Sequence, residues 1–441
     1  MSKRNGPPKA SGLVAAAAAA ALLLPLCYTT GDAQSAARRA TRPAVVNPKT
    51  AAVRAATAEV LKETSEIRQL PVLRPVRSGA QSREEIEQML VRNLNENTTP
   101  EELRASERTL KKLGLVPPDF QLRPFMLRLL VEQVAGYYDP RTKGFYLADW
   151  IDLDGQRPVM AHELTHALQD QHFNLRRFEK WPEHDSDAEL AAHALIEGDA
   201  MVLMTQYVVK SPARQLAMIR SFLTGESGST EQFDKAPRVL RESLLFPYTQ
   251  GSVWAGQVYK RGGWEAVSRA YTELPASTEQ ILHPEKYFAG EAPSKIAFKD
   301  VSAVLGRGWQ VADHDVNGEW GYFLVLDEFL KAREASQTAA AGWQGDRFAL
   351  YLGPAGGDVL LTHQTAWDTE QDAAEFFEAY AKRTSARYKV EPSADEATPN
   401  RRLWATGEGS VLMELNGKGV LIVEGAPDAA KAEAVVMALA K

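Results

Sequence analysis

The chain carries at positions 161–172 the stretch AHELTHALQDQH, which predicts a helix and the chemistry on one of its faces. His162 and His166 are four residues apart, so on an α-helix both imidazoles project from one face, about one turn apart. That spacing lets both imidazoles reach a single Zn²⁺ at ~2.0–2.1 Å. Glu163 follows about 100° round the helix, where its carboxylate stands beside a water on the metal without binding the metal. We therefore interpret the stretch as a zinc-binding HExxH motif, with two histidines on a polar helix face as the alternative.

A third protein ligand is needed, because a catalytic zinc binds three side chains and keeps its fourth position for water. The only cysteine is Cys27, which excludes internal disulfides and cysteine-rich zinc sites, so the ligand must be His, Asp or Glu. His172 has the spacing of the third histidine in the pattern HExxHxxGxxH, but Gln169 stands where that pattern has glycine. If the helix continues, His172 points away from the metal. We therefore do not favour His172.

A carboxylate on a second predicted helix is the better candidate for the third ligand. Residues 187–208 show an apolar stripe at helical spacing, and Glu197 falls in the middle of it. An ionised carboxylate that faces a core is costly unless it is paired or binds a metal. We predict Glu197 as the third ligand, and Glu189 and His193 are the rival candidates. The alternative interpretation of Glu197 is an ion pair with an arginine or lysine. The stripe consists of Leu190, Ala194, Met201, Met204 and Val208.

The predicted mechanism assigns roles to further residues. Zinc lowers the pKa of its bound water to ~7, and Glu163 takes the proton as general base before passing it to the leaving amine. The tetrahedral oxyanion usually needs a second electrophile, for which we predict His283, with Tyr287 and Tyr248 behind it. A surface histidine that precedes a proline is the alternative for His283. The candidate acceptors for the outer imidazole N–H groups are Asp170 and Asp199.

These residues resemble a known superfamily. Residues 162–167, with Asp170, are similar to the active-site helix of thermolysin-like metallopeptidases, and a downstream glutamate as third ligand is the mark of the gluzincins. The resemblance implies Glu197 as the third ligand and supplies no substrate. The stretches that resemble a group of poorly characterised exported bacterial proteins of this zincin type are 134–140, 161–172, 194–200 and 277–287.

A β-hairpin is predicted just before the motif. Gly136-Tyr137-Tyr138 and the aromatic segment 145–148 flank the turn-like residues 139–144, and such alternation of strand formers and turn formers is typical of a hairpin. By the same resemblance, a strand of this hairpin around 145–148 would be the edge along which an extended peptide is aligned by β-augmentation.

The predicted fold class is α+β. The pattern from about 157 to 290 is almost entirely helical, whereas after Pro293 apolar strand-like segments alternate with two helices. Asn416-Gly417 between two apolar runs is a strong hairpin signal. We predict a mainly helical zincin-like metallopeptidase domain at 49–293, with a small β-hairpin or edge sheet, and a smaller α+β domain at 294–441.

The first 33 residues predict a signal peptide. A basic start precedes an apolar stretch of 14 residues, 13–26, and small residues at 31–33 offer a cleavage site. The apolar stretch is shorter than the ~20 residues needed to cross a bilayer, so no transmembrane span is predicted in the mature chain. Residues 34–48 predict a flexible tether. We expect an exported protein, periplasmic or extracellular; a lipid anchor at Cys27 is less favoured because large residues precede it.

Composition narrows the functional classes. With 44% hydrophobic and 24% charged residues the chain is globular, which excludes a collagen-like, coiled-coil or wholly disordered protein. A formal net charge of −6 gives no reason to expect a nucleic-acid partner. The sequence thus predicts an exported zinc peptidase acting on a peptide or protein substrate. The alternative is a non-catalytic binding or envelope-assembly protein on a zincin scaffold, since a fold does not guarantee a function.

Overall fold

The computed structural model describes residues 49–150, 153, 155–178, 182–217, 231–354, 357–395 and 397–441. The predicted signal peptide and the predicted tether lie outside these residues. Among the residues described, no helix combines the length and the apolar character that crossing a bilayer requires.

The N-terminal region is mainly helical and contains a small sheet. Its elements in chain order are α1 (Thr50–Arg68), β1 (Arg77–Gln81), α2 (Arg83–Asn97), α3 (Pro100–Lys112), α4 (Leu122–Gln133), β2 (Gly136–Asp139), β3 (Gly144–Ala148), α5 (Arg157–Phe173), a 3₁₀ turn (Leu175–Phe178), α6 (Ser186–Val209), α7 (Glu231–Asp234), α8 (Arg238–Ala270), α9 (Thr278–Leu282) and α10 (Pro284–Ala289). Residues 212–217 are also helical.

The sheet of this region has three strands in the order β1-β3-β2. Strand β3 lies in the middle, parallel to β1 and antiparallel to β2. The predicted hairpin is confirmed, because Gly136 pairs with Leu147 and Asp139 with Gly144. The free edge on the hairpin side therefore belongs to β2.

The C-terminal region is built on a six-stranded sheet in the order β4-β5-β6-β9-β8-β7, in which every neighbouring pair is antiparallel. Its elements are α11 (Ser302–Leu305), β4 (Gln310–Asp315), α12 (Gly318–Leu330), α13 (Arg333–Ala340), β5 (Trp343–Leu352), β6 (Val359–Trp367), α14 (Glu370–Tyr388), β7 (Arg401–Thr406), β8 (Gly409–Asn416), β9 (Gly419–Ala426) and α15 (Ala429–Ala440). The hairpin signal at Asn416-Gly417 is confirmed, with Asn416 paired to Gly419. A mainly helical region followed by this sheet confirms the predicted α+β class.

Buried side chains pack continuously through both regions. The same apolar cluster contains Leu164 of α5 and Leu195 of α6 together with Trp320 of α12 and Phe376 of α14. Residues 291–301, which include the predicted domain boundary, form neither helix nor strand. The hydrophobic core therefore extends across that connection.

Helix α6 packs on both α5 and α8, and its crossing with α8 is unusually close. A Cβ atom at Gly198 would lie 2.1 Å from the Gly251 carbonyl oxygen, and one at Gly251 would lie 2.3 Å from the Ala194 carbonyl oxygen. Only glycine allows backbones to approach in this way. Because Gly198 directly follows Glu197, this crossing sets the position of the Glu197 side chain.

Candidate metal centre

Helix α5 carries the first part of the site. Pro158 occupies its first turn, where proline costs no hydrogen bond, and Asn174 ends it in the left-handed conformation with φ of 56°. Residues 160–170 are all buried, so the helix is embedded in the protein and presents its histidines to an interior space. Glu163, Thr165, Gln169 and Asp170 each have a hydrogen-bond partner inside the fold, whereas His162 Nδ1 has none among the described residues.

Three donor atoms converge between α5 and α6. The Nε2 atoms of His162 and His166 are 3.2 Å apart, and Glu197 Oε2 lies 3.1 Å from the first and 3.5 Å from the second. All three residues are at most 9% exposed. The structure thus brings together the three ligands predicted from the sequence, which come from two helices and are separated by 35 positions at most.

The spacing of these atoms fits a small divalent cation. Four donors placed tetrahedrally around zinc at ~2.0–2.1 Å lie about 3.3 Å from one another, close to the observed separations. Two imidazole nitrogens that face each other at 3.2 Å share at most one hydrogen, so at least one of them offers a bare lone pair. A nitrogen, nitrogen and oxygen donor set is one that zinc accepts.

Hydrogen bonds determine which nitrogen of His166 faces the centre. The amide nitrogen of Gln169 donates to the Ile196 carbonyl and to Asp199 Oδ2, each at 3.0 Å, so its amide oxygen must face the other way. That oxygen lies 2.8 Å from His166 Nδ1, which must therefore be the protonated donor. In neutral His166 the Nε2 atom is then an acceptor, the form a metal ligand requires.

A buried network holds Gln169 in this orientation. Asp199 accepts two hydrogen bonds from Arg68, at 2.6 and 3.1 Å, and one from the Tyr271 hydroxyl at 2.9 Å. Asp199 was predicted to accept directly from an imidazole, whereas here it acts through Gln169. Asp170 instead accepts from Tyr138 and Lys143. The network links α1, α5, α6 and the end of α8 around the candidate ligand His166.

Glu163 stands beside the three donor atoms. Its Oε2 atom accepts the Tyr138 N–H at 2.9 Å, which attaches the carboxylate to strand β2. A Glu163 oxygen also lies within 4.8 Å of a nitrogen of each histidine. Glu163 could therefore contact a shared cation, while Glu197 lies 3.1 Å and 3.5 Å from the two imidazole nitrogens.

The electrostatic environments of the two carboxylates differ. Burial raises the pKa of Glu163, and the positive charges of the histidines and the Tyr138 hydrogen bond offset this only in part. Burial also acts to raise the pKa of Glu197, but the charges and hydrogen bonds of the two histidines outweigh it and lower the pKa to about 2. Burial would lower the pKa of His166, yet Glu197 and Glu163 raise it to about 9. The field of the carboxylates therefore favours positive charge at the imidazoles.

Tyr248 of α8 is the aromatic side chain that contacts this cluster. Its hydroxyl is hydrogen-bonded to Glu197, and its ring is stacked near His162 with 6.1 Å between ring centroids. Burial and the charges of Glu197 and Glu163 raise the pKa of Tyr248 well above its ordinary value, so the phenol remains a hydrogen-bond donor.

The other two predicted electrophiles have different partners. His283 Nε2 is 2.9 Å from Glu319 Oε1, and the hydroxyl of Tyr287 donates to the Glu273 carbonyl at 2.8 Å. The charges that act on His283 come from Glu319, Glu285 and Glu279. The structure thus places Tyr248, rather than His283, against the carboxylates of the site.

The other candidate ligands considered from the sequence are His193, Glu189 and His172, and each has surroundings different from those of Glu197. His193 is buried one turn before Glu197, and burial lowers its pKa to about 4 although Glu197 acts to raise it. Burial raises the pKa of Glu189 to about 8, and the charge that acts on it is that of Asp315. His172 Nε2 donates to the Pro71 carbonyl at 2.8 Å, so the imidazole faces the α1–β1 connection.

The strand next to the site is β2. The peptide-aligning edge is predicted in the hairpin around residues 145–148, and within that hairpin β3 is hydrogen-bonded on both sides. The Tyr138 N–H of β2 points away from β3 and toward Glu163. Of the two hairpin strands, β2 is therefore the edge strand, and it faces the candidate centre.

Sequence reasoning missed Gln169, Arg68 and Tyr271. The signal for Gln169 is its position in the pattern HExxHxxGxxH, where glycine is expected. Arg68 lies on the buried face of α1 among apolar residues and threonines, and a charged residue at such a helical position is the signal for it.

Comparison with known proteins does not assign a function. The model of a domain of unknown function, DUF8575, matches residues 307–436. Neither the curated proteins nor the solved structures contain a match to the chain. The matched residues cover the C-terminal sheet and none of the candidate ligands.

Proposed function

We propose that this chain is a zinc-dependent peptidase. The observation that carries the proposal is the convergence of His162 Nε2, His166 Nε2 and Glu197 Oε2 within 3.5 Å of one another, with the Glu163 carboxylate beside them. These three side chains would hold the cation. When bound, zinc supplies an electrophile that polarises a carbonyl group and lowers the pKa of water to about 7.

Glu163 is the proton carrier in this proposal. Its carboxylate takes a proton from the attacking water and delivers it to the nitrogen of the leaving amine. The hydrogen bond from the Tyr138 N–H holds the carboxylate in place, so no reorganisation is needed at the moment of transfer.

Tyr248 supplies the second hydrogen-bond donor. Because its phenol stays protonated and already lies at the cluster, its hydroxyl can turn from Glu197 and donate its one hydrogen to the oxyanion that develops on the scissile carbonyl. Replacing Tyr248 with Phe should reduce kcat by about 100-fold and leave the zinc content unchanged. A variant that lost zinc and activity together would assign Tyr248 a structural role.

The predicted signal peptide supports action outside the cytoplasm, in the periplasm or beyond the cell. An extended peptide would lie beside β2 with its scissile carbonyl next to Glu163, which the Tyr138 N–H holds in place.

The deciding experiment compares wild type with Glu163→Gln. We expect one zinc per chain in both by elemental analysis, and a loss of peptide-library cleavage of at least ~100-fold in the variant. Glu87→Gln, on the exposed face of α2, is the matched control and should cleave like wild type.

Two results would overturn the proposal. Cleavage by Glu163→Gln at the wild-type rate would exclude the proton carrier. Zinc-loaded wild type that cleaves nothing would favour the alternative, a non-catalytic binding or envelope-assembly protein on the same scaffold.

A further inference from the structure

A strongly basic pocket lies at the end of the small sheet, beside helix α5. It has a volume of about 420 Å³ and is lined by Arg74, Arg77, Arg141 and Lys143, with Tyr138 and Gln171. None of its lining residues is acidic. This volume is within the range of small-ligand pockets, ~300–1,000 Å³.

The backbone beneath Arg74 is held rigidly. The Gln171 side chain accepts the N–H groups of Leu73 and Arg74 at 2.7 and 2.9 Å and donates to the Arg74 carbonyl at 3.0 Å. The neighbouring His172 donates to the Pro71 carbonyl at 2.8 Å. The last turns of α5 thus fix the segment that presents Arg74.

One residue connects the pocket to the candidate metal centre. The Tyr138 N–H contacts Glu163 at 2.9 Å, and the Tyr138 hydroxyl contacts Asp170 Oδ2 at 2.8 Å. Lys143 of the pocket binds the same Asp170 oxygen at 2.6 Å. The pocket wall therefore begins one tyrosine side chain away from Glu163.

The basic side chains of the pocket fall into two pairs. Lys143 is bonded to Asp170, and Arg141 is bonded to Glu96 and to two asparagines. Arg74 and Arg77 are exposed, and no carboxylate within the described part of the chain pairs with either guanidinium. The pocket therefore has two cationic groups available for a ligand that carries negative charge.

We propose that this pocket binds an acidic side chain of the peptide substrate, a proposal that rests on the peptidase function above. A peptide whose scissile bond lies beside Glu163 passes Tyr138, whose backbone N–H contacts that carboxylate, and successive residues of an extended peptide advance ~3.4 Å. A glutamate or aspartate a few residues from the scissile bond then reaches Arg74 and Arg77. The enzyme selects substrates with one acidic residue on this side of the cleavage site.

The test uses decapeptides of neutral composition in which a single Glu occupies each position in turn, matched by a set with Gln. Binding of fluorescein-labelled peptides to full-length Glu163→Gln protein is followed by anisotropy, and cleavage by wild type is followed as kcat/KM. At one position Glu should bind on the order of tenfold more tightly than Gln, as a charge-assisted hydrogen bond provides.

Reversing the charge of the pocket arginines tests whether the preference for Glu over Gln arises in this pocket. Arg74→Glu and Arg77→Glu should remove it, whereas Arg128→Glu, on an exposed face of α4 outside the pocket, should retain it. Equal binding of the Glu and Gln sets, or a preference that survives both reversals, would overturn the pocket assignment.

The two proposals fail in different ways. Cleavage without acidic preference removes the pocket and leaves the peptidase. An Arg74-dependent preference in binding, without cleavage by wild type, removes the peptidase and leaves an acidic-peptide site.

Discussion

The crossing of α6 and α8 makes the substitution Gly198→Ala a sensitive test of the site. The added Cβ would lie 2.1 Å from the Gly251 carbonyl oxygen, whereas such contacts are essentially never shorter than 3.0 Å, so the helices must separate by about 0.9 Å. Overpacking of a core costs ~1–3 kcal/mol, and the helix preference of alanine returns about 1 kcal/mol. We expect a net loss of about 1 kcal/mol, and at most about 2 kcal/mol, in the free energy of unfolding.

The same displacement affects function, because Glu197 directly precedes Gly198. A shift of about 1 Å in a positioning element lowers activity by about 100-fold. The matched control is Gly256→Ala on α8, where an added Cβ meets no atom within 4 Å. That control should gain up to about 1 kcal/mol from helix propensity and keep its activity.

Both variants are compared with wild type by denaturant unfolding followed by circular dichroism, by zinc content and by kcat/KM. If Gly198→Ala unfolds with the wild-type free energy and binds zinc equally well, the close crossing and its role in placing Glu197 are refuted.

Three further predictions address the ligands and the C-terminal region. Glu197→Ala should lose zinc by elemental analysis while His193→Ala keeps it; the reverse result would exchange their roles. Gln169→Leu should weaken zinc binding ~10–100-fold in chelator competition, because the His166 tautomer is no longer held, and an unchanged Kd would contradict this. In Glu424, burial acts to raise the pKa, but Arg383 and other cationic neighbours lower it to about 2. The ionised Glu424 therefore contributes its full stabilisation above the ordinary pKa of ~4.3, and this contribution is lost as pH falls toward 2. Over that pH range the free energy of unfolding of wild type should fall by about 3 kcal/mol more than that of Glu424→Gln, measured by denaturant unfolding. Parallel pH curves for the two proteins would exclude a stabilising Glu424–Arg383 pair.

Much of the local structure could be predicted from the sequence. The spacing of His162 and His166 and the absence of a breaker between them predicted one helix, and Asn416-Gly417 predicted a hairpin. Both depend on residues a few positions apart, so short-range backbone preferences are sufficient.

The oxyanion donor could not be chosen in this way. His283 is a residue type that often takes part in catalysis, and it lies at the end of a helix. Its imidazole, however, contacts Glu319, which is 36 positions away in the chain. Tyr248 lies inside a long helix without a motif around it and reaches Glu197 only because α8 packs on α6.

The sequence by itself determined the donor chemistry, the helical spacing of two imidazoles and the α+β class, because these follow from residue type and local periodicity. Only the tertiary structure decided that Glu197 completes the triangle and that Gln169 orients His166. It also decided that β2 carries the free edge and that Arg74 and Arg77 meet beside Tyr138. These arrangements depend on the packing of segments far apart in the chain, where burial and backbone contact select one neighbour among several of similar chemistry.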